Sequence, residues 1–147
     1  MSAGWAYDGP RTEDGTGRLQ LRVDAAGVTT RLHVEGGGWV LRGGCVGGSV
    51  LWRRGDEEGE AVALGFTGTS PAYDVAVALR LRLGVGEHRR VRLVEVTDPV
   101  LALRLVDRQW SRTGSARWVV DDLATGERRE VDPDTVVAGM GGSASSV

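Results

Sequence analysis

The sequence predicts an all-β domain of about ten short antiparallel strands, packed as a sandwich or closed into a barrel. Three observations support this fold class. Apolar and polar residues alternate with a period of two, which is the period of side chains along a strand. Glycine, present at 23 positions, interrupts that alternation at short intervals. The spacing of apolar residues that is typical of an amphipathic helix is hard to find in the chain.

The strands lie between these glycine-containing turns and follow one another closely along the chain. In the N-terminal half the predicted strands are Arg18–Asp24, Val28–Glu35, Trp39–Arg42, Ser49–Arg54 and Glu60–Gly65. In the C-terminal half they are Asp74–Leu83, His88–Thr97, Leu101–Trp110, Ala116–Asp121, Glu127–Asp132 and Thr135–Ala138. The predicted turns include Ala25-Ala26-Gly27, Gly36-Gly37-Gly38, Gly43-Gly44, Gly47-Gly48 and Gly55-Asp56.

The segment Asp74–Leu83 shows the alternation most clearly. Its larger apolar residues would share one face of a strand: Val75, Val77, Leu79, Leu81 and Leu83. The other face would carry Ala76, Ala78, Arg80 and Arg82. A helix would scatter both sets around its circumference. We therefore predict a strand here, joined by a short glycine-containing loop to a returning strand at His88–Thr97.

One domain accounts for the chain of 147 residues. We expect residues 18–138 to form the β domain. The N-terminal segment, residues 1–17, is predicted to be poorly ordered. Residues 139–147 are predicted to form a flexible tail, because this glycine- and serine-rich sequence buries too little apolar surface to offset the entropy lost on ordering.

The amino-acid composition indicates which binding partners and which cellular compartment to expect for the protein. All 18 basic residues are arginine and the formal net charge is −2, so the overall balance does not indicate nucleic acid as a partner. We find no signal peptide and no apolar run of about 18 residues, so we expect a cytoplasmic protein with no integral membrane segment. A single cysteine, Cys45, excludes an internal disulfide framework.

No constellation of catalytic or metal-binding residues is recognisable. The residues that most often bind zinc, Cys45, His33 and His88, lie far apart in the sequence. The glycine-rich segments lack the lysine and the following helix of a phosphate-binding loop. We therefore predict no catalytic residue, no metal and no cofactor. An enzyme would need carboxylates that folding brings together, such as Glu95 with Asp107.

Tryptophan and arginine leave two interpretations open. Five tryptophans against one phenylalanine is unusual. Four of them fall within or at the ends of predicted strands: Trp39, Trp52, Trp110 and Trp118. They either pack in the core or form the wall of an apolar pocket. The arginines of the predicted strands either point into water or line the mouth of a cavity, where they would hold an anionic head group.

The C-terminal half carries a further signal in the order of its segments. These segments are Leu64-Gly65-Phe66-Thr67, Leu79-Arg80-Leu81-Arg82-Leu83, Gly84-Val85-Gly86-Glu87, Pro99-Val100-Leu101, Asp107–Gly114, Glu130-Val131-Asp132 and Val136-Val137. In order and spacing they resemble a glycolipid-binding family of bacterial β-proteins. The chain departs from the family at Gly68–Tyr73, and its N-terminal strands look shortened. The resemblance implies a single antiparallel sheet curved into a partly open barrel, as in bacterial lipoprotein-localisation factors, with a concave apolar face for lipid tails.

We therefore predict the non-catalytic binding of a lipid, a glycolipid or another amphiphile on the concave apolar face of the sheet. The residues predicted to contact the ligand are Trp52, Phe66, Tyr73, Arg80, Arg82, Trp110 and Trp118. The alternative is a structural or protein–protein interaction domain with a filled interior. Its edge strands would pair with a partner, which includes a second copy of the chain in a homo-oligomer.

Overall fold

The computed structural model describes residues 4–12, 15–132 and 143–146, and for the last four the description is limited to the backbone. Its strands are β1 (Trp5–Pro10), β2 (Arg18–Val23), β3 (Thr29–Gly36), β4 (Trp39–Val46), β5 (Ser49–Arg54), β6 (Glu57–Val62), β7 (Gly65–Thr67), β8 (His88–Thr97), β9 (Ala102–Gly114), β10 (Arg117–Asp122), β11 (Arg128–Val131) and β12 (Ser143–Ser146). A helix, α1 (Pro71–Leu81), lies between β7 and β8. The described part of the chain holds no helix with the length and apolar character of a membrane span.

These strands form two sheets. The larger has seven strands in the order β12-β1-β2-β3-β4-β5-β6, with antiparallel neighbours. The smaller has five strands in the order β11-β10-β9-β8-β7, in which β7 and β8 run parallel. The predicted all-β class is confirmed, because the described chain is mostly strand. The predicted single sheet is wrong, and neither sheet closes into a barrel through the strands described.

The segment Asp74–Leu83, predicted as a strand, belongs to helix α1 and the residues that end it. Ser70 caps the helix, and its side-chain oxygen accepts a hydrogen bond from the backbone N–H of Ala72 at 3.3 Å. Pro71 stands in the first turn, where its missing N–H has no consequence. Arg82 ends the helix with a left-handed backbone, at a φ of 50°. These local signals outweigh the period-two pattern.

The alternation was misleading because α1 is buried on almost every side. Ala72, Tyr73 and Ala76 pack toward the seven-stranded sheet. Val77, Ala78 and Leu81 pack toward the five-stranded sheet. A helix shows its characteristic pattern only when one broad face meets water. Since two sheets enclose α1, apolar residues occupy both of its faces and the helical period is hidden.

Helix α1 also separates two hydrophobic cores. The first core joins the seven-stranded sheet to one side of α1 and to β7 and β8, and includes Tyr7, Leu19, Leu32, Val34, Leu41, Val50, Phe66, Tyr73 and Val94. The second core joins the other side of α1 to the five-stranded sheet, and includes Val77, Leu81, Leu93, Trp110, Trp118 and Val120. Parallel strands need a crossover between them, and α1 supplies it for β7 and β8. The chain passes from the seven-stranded sheet to the five-stranded sheet between β6 and β7, before α1 begins.

Strand β4 runs through Gly43 and Gly44, which the sequence predicts as a turn. Close packing explains both glycines. A Cβ atom at Gly43 would lie 2.7 Å from Cζ of Phe66, and one at Gly44 would lie 2.9 Å from the carbonyl oxygen of Thr30. The glycines let these groups approach the strand, so they do not mark its end.

Both ends of the chain contribute strands. Trp5–Pro10 falls in the segment predicted to be poorly ordered, yet it forms β1, and its Tyr7 is 1% exposed. The backbone of Ser143–Ser146 falls in the predicted flexible tail, yet it pairs with β1 as β12. Both segments therefore contribute strands to the seven-stranded sheet. The predicted strand Thr135–Ala138 lies outside the described residues.

Candidate functional site

An open groove of about 640 Å³ lies between the N-terminal end of α1 and one face of the five-stranded sheet. The described residues that line it are Thr67, Gly68, Thr69, Pro71, Asp74, Glu95, Arg108, Val120, Asp122, Glu127, Arg128 and Arg129. We call it the charged groove, because seven of these twelve side chains are ionisable. Its volume is within the range of small-molecule sites, about 300–1,000 Å³.

Strand geometry places these side chains on one face. Residues two apart on a strand share a face, so Val120 and Asp122 of β10 both point toward the groove. Arg108 of β9 is the direct neighbour of Asp122 in the register of the sheet. On β7, Phe66 packs into the first core, so its neighbour Thr67 faces the groove. The groove is thus assembled from strands that lie far apart in the sequence.

Arg108 is the centre of the polar network. The residue is 8% exposed, and its Nε donates a hydrogen bond to Oδ2 of Asp122 at 3.0 Å. Its Nη2 donates to Oε2 of Glu95, also at 3.0 Å. The second oxygen of Glu95 accepts a hydrogen bond from Nε of Arg104 at 2.6 Å. One arginine of β9 therefore fixes two carboxylates, one on each of the strands that flank it, β8 and β10.

Asp122 is held further by the turn that follows β10. Its Oδ1 accepts hydrogen bonds from the backbone N–H groups of Ala124 at 2.9 Å and Thr125 at 3.1 Å. Burial raises the pKa of Asp122, but these two backbone hydrogen bonds and the interactions with Arg108 outweigh it. The pKa of Asp122 is therefore lowered, and the side chain is an ionised acceptor at neutral pH.

A second ion pair joins the helix to the sheet. Asp74 of α1 is 8% exposed at its side chain, and both of its oxygens accept hydrogen bonds from Arg129 of β11, at 2.6 and 2.7 Å. This bidentate geometry is the strongest form of the arginine–carboxylate pair. The hydrogen bond with Asp74 raises the pKa of Arg129 above its usual value. The pair fixes the N-terminal end of α1 over the groove.

The charged groove is suited to forming hydrogen bonds with a polar ligand. Four carboxylates and three guanidinium groups line it, so opposite charges nearly balance along its wall. Each ion-paired carboxylate oxygen keeps a second lone pair that can accept a hydroxyl hydrogen, and the guanidinium groups can donate. Within the described residues, no group of three or more His, Cys, Asp or Glu side chains is arranged to hold a metal ion.

The seven residues predicted to contact a ligand do not line this groove. Phe66 and Tyr73 are each 2% exposed and lie in the first core, and Trp52 is partly buried and packs against that core. Trp110 and Trp118 lie in the second core, with ring centroids 5.9 Å apart in an edge-to-face contact. Burial raises the pKa of the Tyr73 hydroxyl, which accords with its place in the core.

The two predicted arginines lie toward the C-terminal end of α1. Arg82 is exposed and donates a hydrogen bond to the carbonyl oxygen of Ala25. Arg80 is half-buried and, with Phe66, borders a void of about 10 Å³. A space of this size holds at most one water molecule. The structure therefore does not bring the seven predicted residues together around one cavity.

The carboxylates considered for an enzyme, Glu95 and Asp107, lie on opposite faces of the five-stranded sheet. Glu95 faces the charged groove, whereas Asp107 is paired across the strands with Arg92, at 3.0 Å. The hydrogen bond from Arg92 lowers the pKa of Asp107. The two side chains therefore do not form a joint acid–base site.

Sequence reasoning considered one residue of the charged groove, Glu95, as a possible catalytic carboxylate, and it missed the others. Asp74 was assigned to a strand, and its partner Arg129 is 55 positions away. Two signals were present: Ser70-Pro71 followed by Asp74 is typical of a helix start, and the hairpin Asp121–Arg129 carries charges on both of its arms. Neither signal indicates that these segments meet.

Comparisons with known proteins bear on the fold. No protein-family model matches the chain, and no curated protein matches it. The chain is similar in structure to a DUF1089 family protein from Pseudomonas aeruginosa, with a TM-score of 0.59 and 21% sequence identity, over 88% of this chain and 76% of that chain. At this level of identity the similarity concerns the fold alone. The resemblance to a glycolipid-binding family, the lack of catalysis and the cytoplasmic location stay predictions.

Proposed function

We propose that the protein binds, without catalysis, an amphiphile with a hydroxyl-rich head group such as that of a glycolipid, and that the charged groove receives the head group. The observation that supports this most is the ordering of the groove by its own ion pairs. Arg108 holds Glu95 and Asp122, and Arg129 holds Asp74. A site whose polar groups are already fixed loses little conformational entropy when a ligand binds.

The balance of charge favours a neutral head group over an ion. Asp74, Glu95 and Asp122 are each ion-paired with an arginine, so a cation would have to displace a guanidinium there, and an anion would meet the carboxylates. Sugar hydroxyls can donate to the carboxylates and accept from the guanidinium groups at the same time. Pro71, which is half-buried, lines the same groove and offers apolar contact to the first part of an alkyl chain.

This proposal differs from the sequence prediction in where the ligand lies. The prediction placed lipid tails on a concave apolar face. In the structure, α1 fills the space between the two sheets with Tyr73, Val77 and Leu81. We therefore assign the polar end of the ligand to the groove beside α1, and no longer place the tails inside a barrel.

Octyl glucoside, used below its critical micelle concentration, is a suitable probe for calorimetric titration. We expect it to bind the wild type. The variant Thr69→Val keeps a β-branched residue in the loop before α1 but removes an exposed hydroxyl from the groove wall, and we expect binding about 5- to 10-fold weaker. The matched control, Thr113→Val, removes an exposed hydroxyl elsewhere on the five-stranded sheet and should leave the affinity unchanged.

Octyl phosphocholine has the same alkyl chain and a charged head group, and it tests the choice of head group. Equal binding of both detergents, or equal affinity in the wild type and Thr69→Val, would contradict the proposal. Three results together would favour the protein–protein interaction alternative. They are no binding of either detergent, no bound lipid in native mass spectrometry, and purification as a stable oligomer.

A further inference from the structure

The outer face of the seven-stranded sheet carries four arginines on adjacent strands. They are Arg22 of β2, Arg31 of β3, Arg42 of β4 and Arg53 of β5, and all four are exposed. The core side chains of these strands, such as Leu32 and Leu41, alternate with them and point to the opposite face. We call these four residues the arginine ladder.

The register of the sheet sets like charges directly opposite each other. Arg22 pairs with Arg31 across β2 and β3, and Arg42 pairs with Arg53 across β4 and β5. Like charges at directly opposed positions destabilise an antiparallel sheet. A fold that needed these strands only for its core would gain stability with a neutral or acidic residue at one position of each pair.

The carboxylates of this face pair mostly with groups outside the ladder: Asp8 contacts Arg18 and Glu35 contacts His33, while Glu60 lies opposite Leu51. Among the residues that the structure describes, Arg22, Arg31 and Arg42 form no ion pair. Arg53 lies 3.8 Å from Glu58, and both side chains are mostly exposed, so the pair contributes little. The ladder therefore presents guanidinium groups that can donate hydrogen bonds to an external anion.

A shallow cleft of about 140 Å³ lies beside the first pair. Arg22 and Arg31 line it together with Gln20 and Asp8. Asp8 is already engaged, by Arg18 at 2.7 Å and by Gln20 at 3.3 Å. The cleft has the size for a phosphate group, and two guanidinium groups suit the geometry of phosphate oxygens.

An apolar corner adjoins the ladder on the same face. It consists of Val46, Leu51 and Val62, which are 69%, 39% and 78% exposed. The register places Val46 beside Ser49 and places Ser49 beside Val62, while Leu51 is two residues from Arg53. Exposed aliphatic side chains next to arginines are suited to a partner surface whose outermost layer is charged and whose next layer is apolar.

We propose that the arginine ladder and the apolar corner dock the protein on an anionic membrane surface. The guanidinium groups bind lipid phosphates, and Val46 and Val62 enter the boundary between head groups and acyl chains. A nucleic acid offers the same phosphates but no apolar layer for the corner. The net charge of −2 also opposes general binding to nucleic acid.

Flotation with lipid vesicles at low ionic strength tests this docking. We expect the wild type to bind vesicles that contain phosphatidylglycerol and not to bind vesicles of phosphatidylcholine alone. The double variant Arg22→Gln/Arg31→Gln should bind the anionic vesicles about 30-fold more weakly. The matched control Arg89→Gln/Arg117→Gln removes the same charge from exposed positions of the five-stranded sheet and should bind like the wild type. Val62→Ser should weaken binding even though it changes no charge.

A thermal unfolding measurement separates docking from a structural role. Because the opposed arginines repel each other, Arg31→Gln should unfold at a higher temperature than the wild type in low salt. The proposal is overturned if the wild type does not bind anionic vesicles, if the double variant binds as well as the control, if Arg31→Gln is less stable, or if a DNA duplex binds as tightly as the vesicles. The ladder and the charged groove lie on different sheets, so vesicle docking and detergent binding are tested separately.

Discussion

Replacing Trp110 by alanine should destabilise the protein by about 3–5 kcal/mol, the range measured for large aromatic residues in well-packed cores. Trp110 is 0% exposed and contacts Trp118 edge to face in the second core. The side chain stands between the five-stranded sheet and α1, where the surrounding strands can collapse only partly into the space left behind. Urea unfolding followed by circular dichroism measures the change, and the slope of the transition should stay the same.

Trp110→Phe separates packing from hydrogen bonding at this site. The indole Nε1 of Trp110 has no hydrogen-bond partner among the described residues. Phenylalanine keeps most of the buried aromatic surface and removes this unsatisfied N–H. The stability lost with the smaller ring is therefore partly offset by the stability gained when the buried donor is removed. We expect a loss of less than about 1.5 kcal/mol. If alanine and phenylalanine cost the same, the second core is not packed around this ring.

Replacing Arg108 by methionine should cost about 2–4 kcal/mol at neutral pH. The substitution leaves Glu95 and Asp122 without the guanidinium that bridges them. Removing one member of a fully buried ion pair costs about 3–5 kcal/mol. The value here is lower because the two carboxylate side chains keep 18% and 19% of their exposure. The free energy of unfolding, measured with urea, checks this result.

The pH dependence of Arg108→Met follows from the same contacts. Arg108 helps to hold the pKa of Asp122 below its usual value, so the wild type has stability that is present at neutral pH and is lost as the pH falls through that lowered pKa. The variant lacks this contribution. The difference between the two proteins should therefore be largest at neutral pH and should shrink below about pH 4.

Arg104→Met is the matched control for this prediction. Arg104 also binds Glu95, but its side chain is 66% exposed. Exposed ion pairs contribute at most about 1 kcal/mol, so this variant should be nearly as stable as the wild type. Equal losses in Arg104→Met and Arg108→Met would show that burial of the bridge does not order the groove.

Local patterns were enough to predict most of the strands. The predicted bounds of Ser49–Arg54 and His88–Thr97 coincide with β5 and β8. Strand β5 alternates between a core face and a water face. In β8 the alternation holds for the first half only, because Leu93 enters one core and Val94 the other. Both strands begin after a turn that contains glycine. These are the conditions under which a period of two identifies a strand.

The helix and the groove depend on contacts that no local pattern reveals. Helix α1 is enclosed by both sheets, so its apolar residues show no helical period. The groove needs Asp74 beside Arg129, and Arg108 between Glu95 and Asp122. The partners are set by the register of β8, β9, β10 and β11 and by the crossover through α1. The change of sheet falls between β6 and β7, inside the segment Glu60–Gly65 that the alternation predicts as one strand.

The most direct test of the charged groove as a head-group site is a titration of isotope-labelled protein with octyl glucoside, followed by amide NMR shifts. We expect the largest shifts at Thr67–Asp74, around Glu95 and Arg108, and along Asp122–Arg129, with little change in β2–β6. Shifts confined to the seven-stranded sheet, or none at concentrations where the detergent is monomeric, would contradict the assignment of the ligand to this groove.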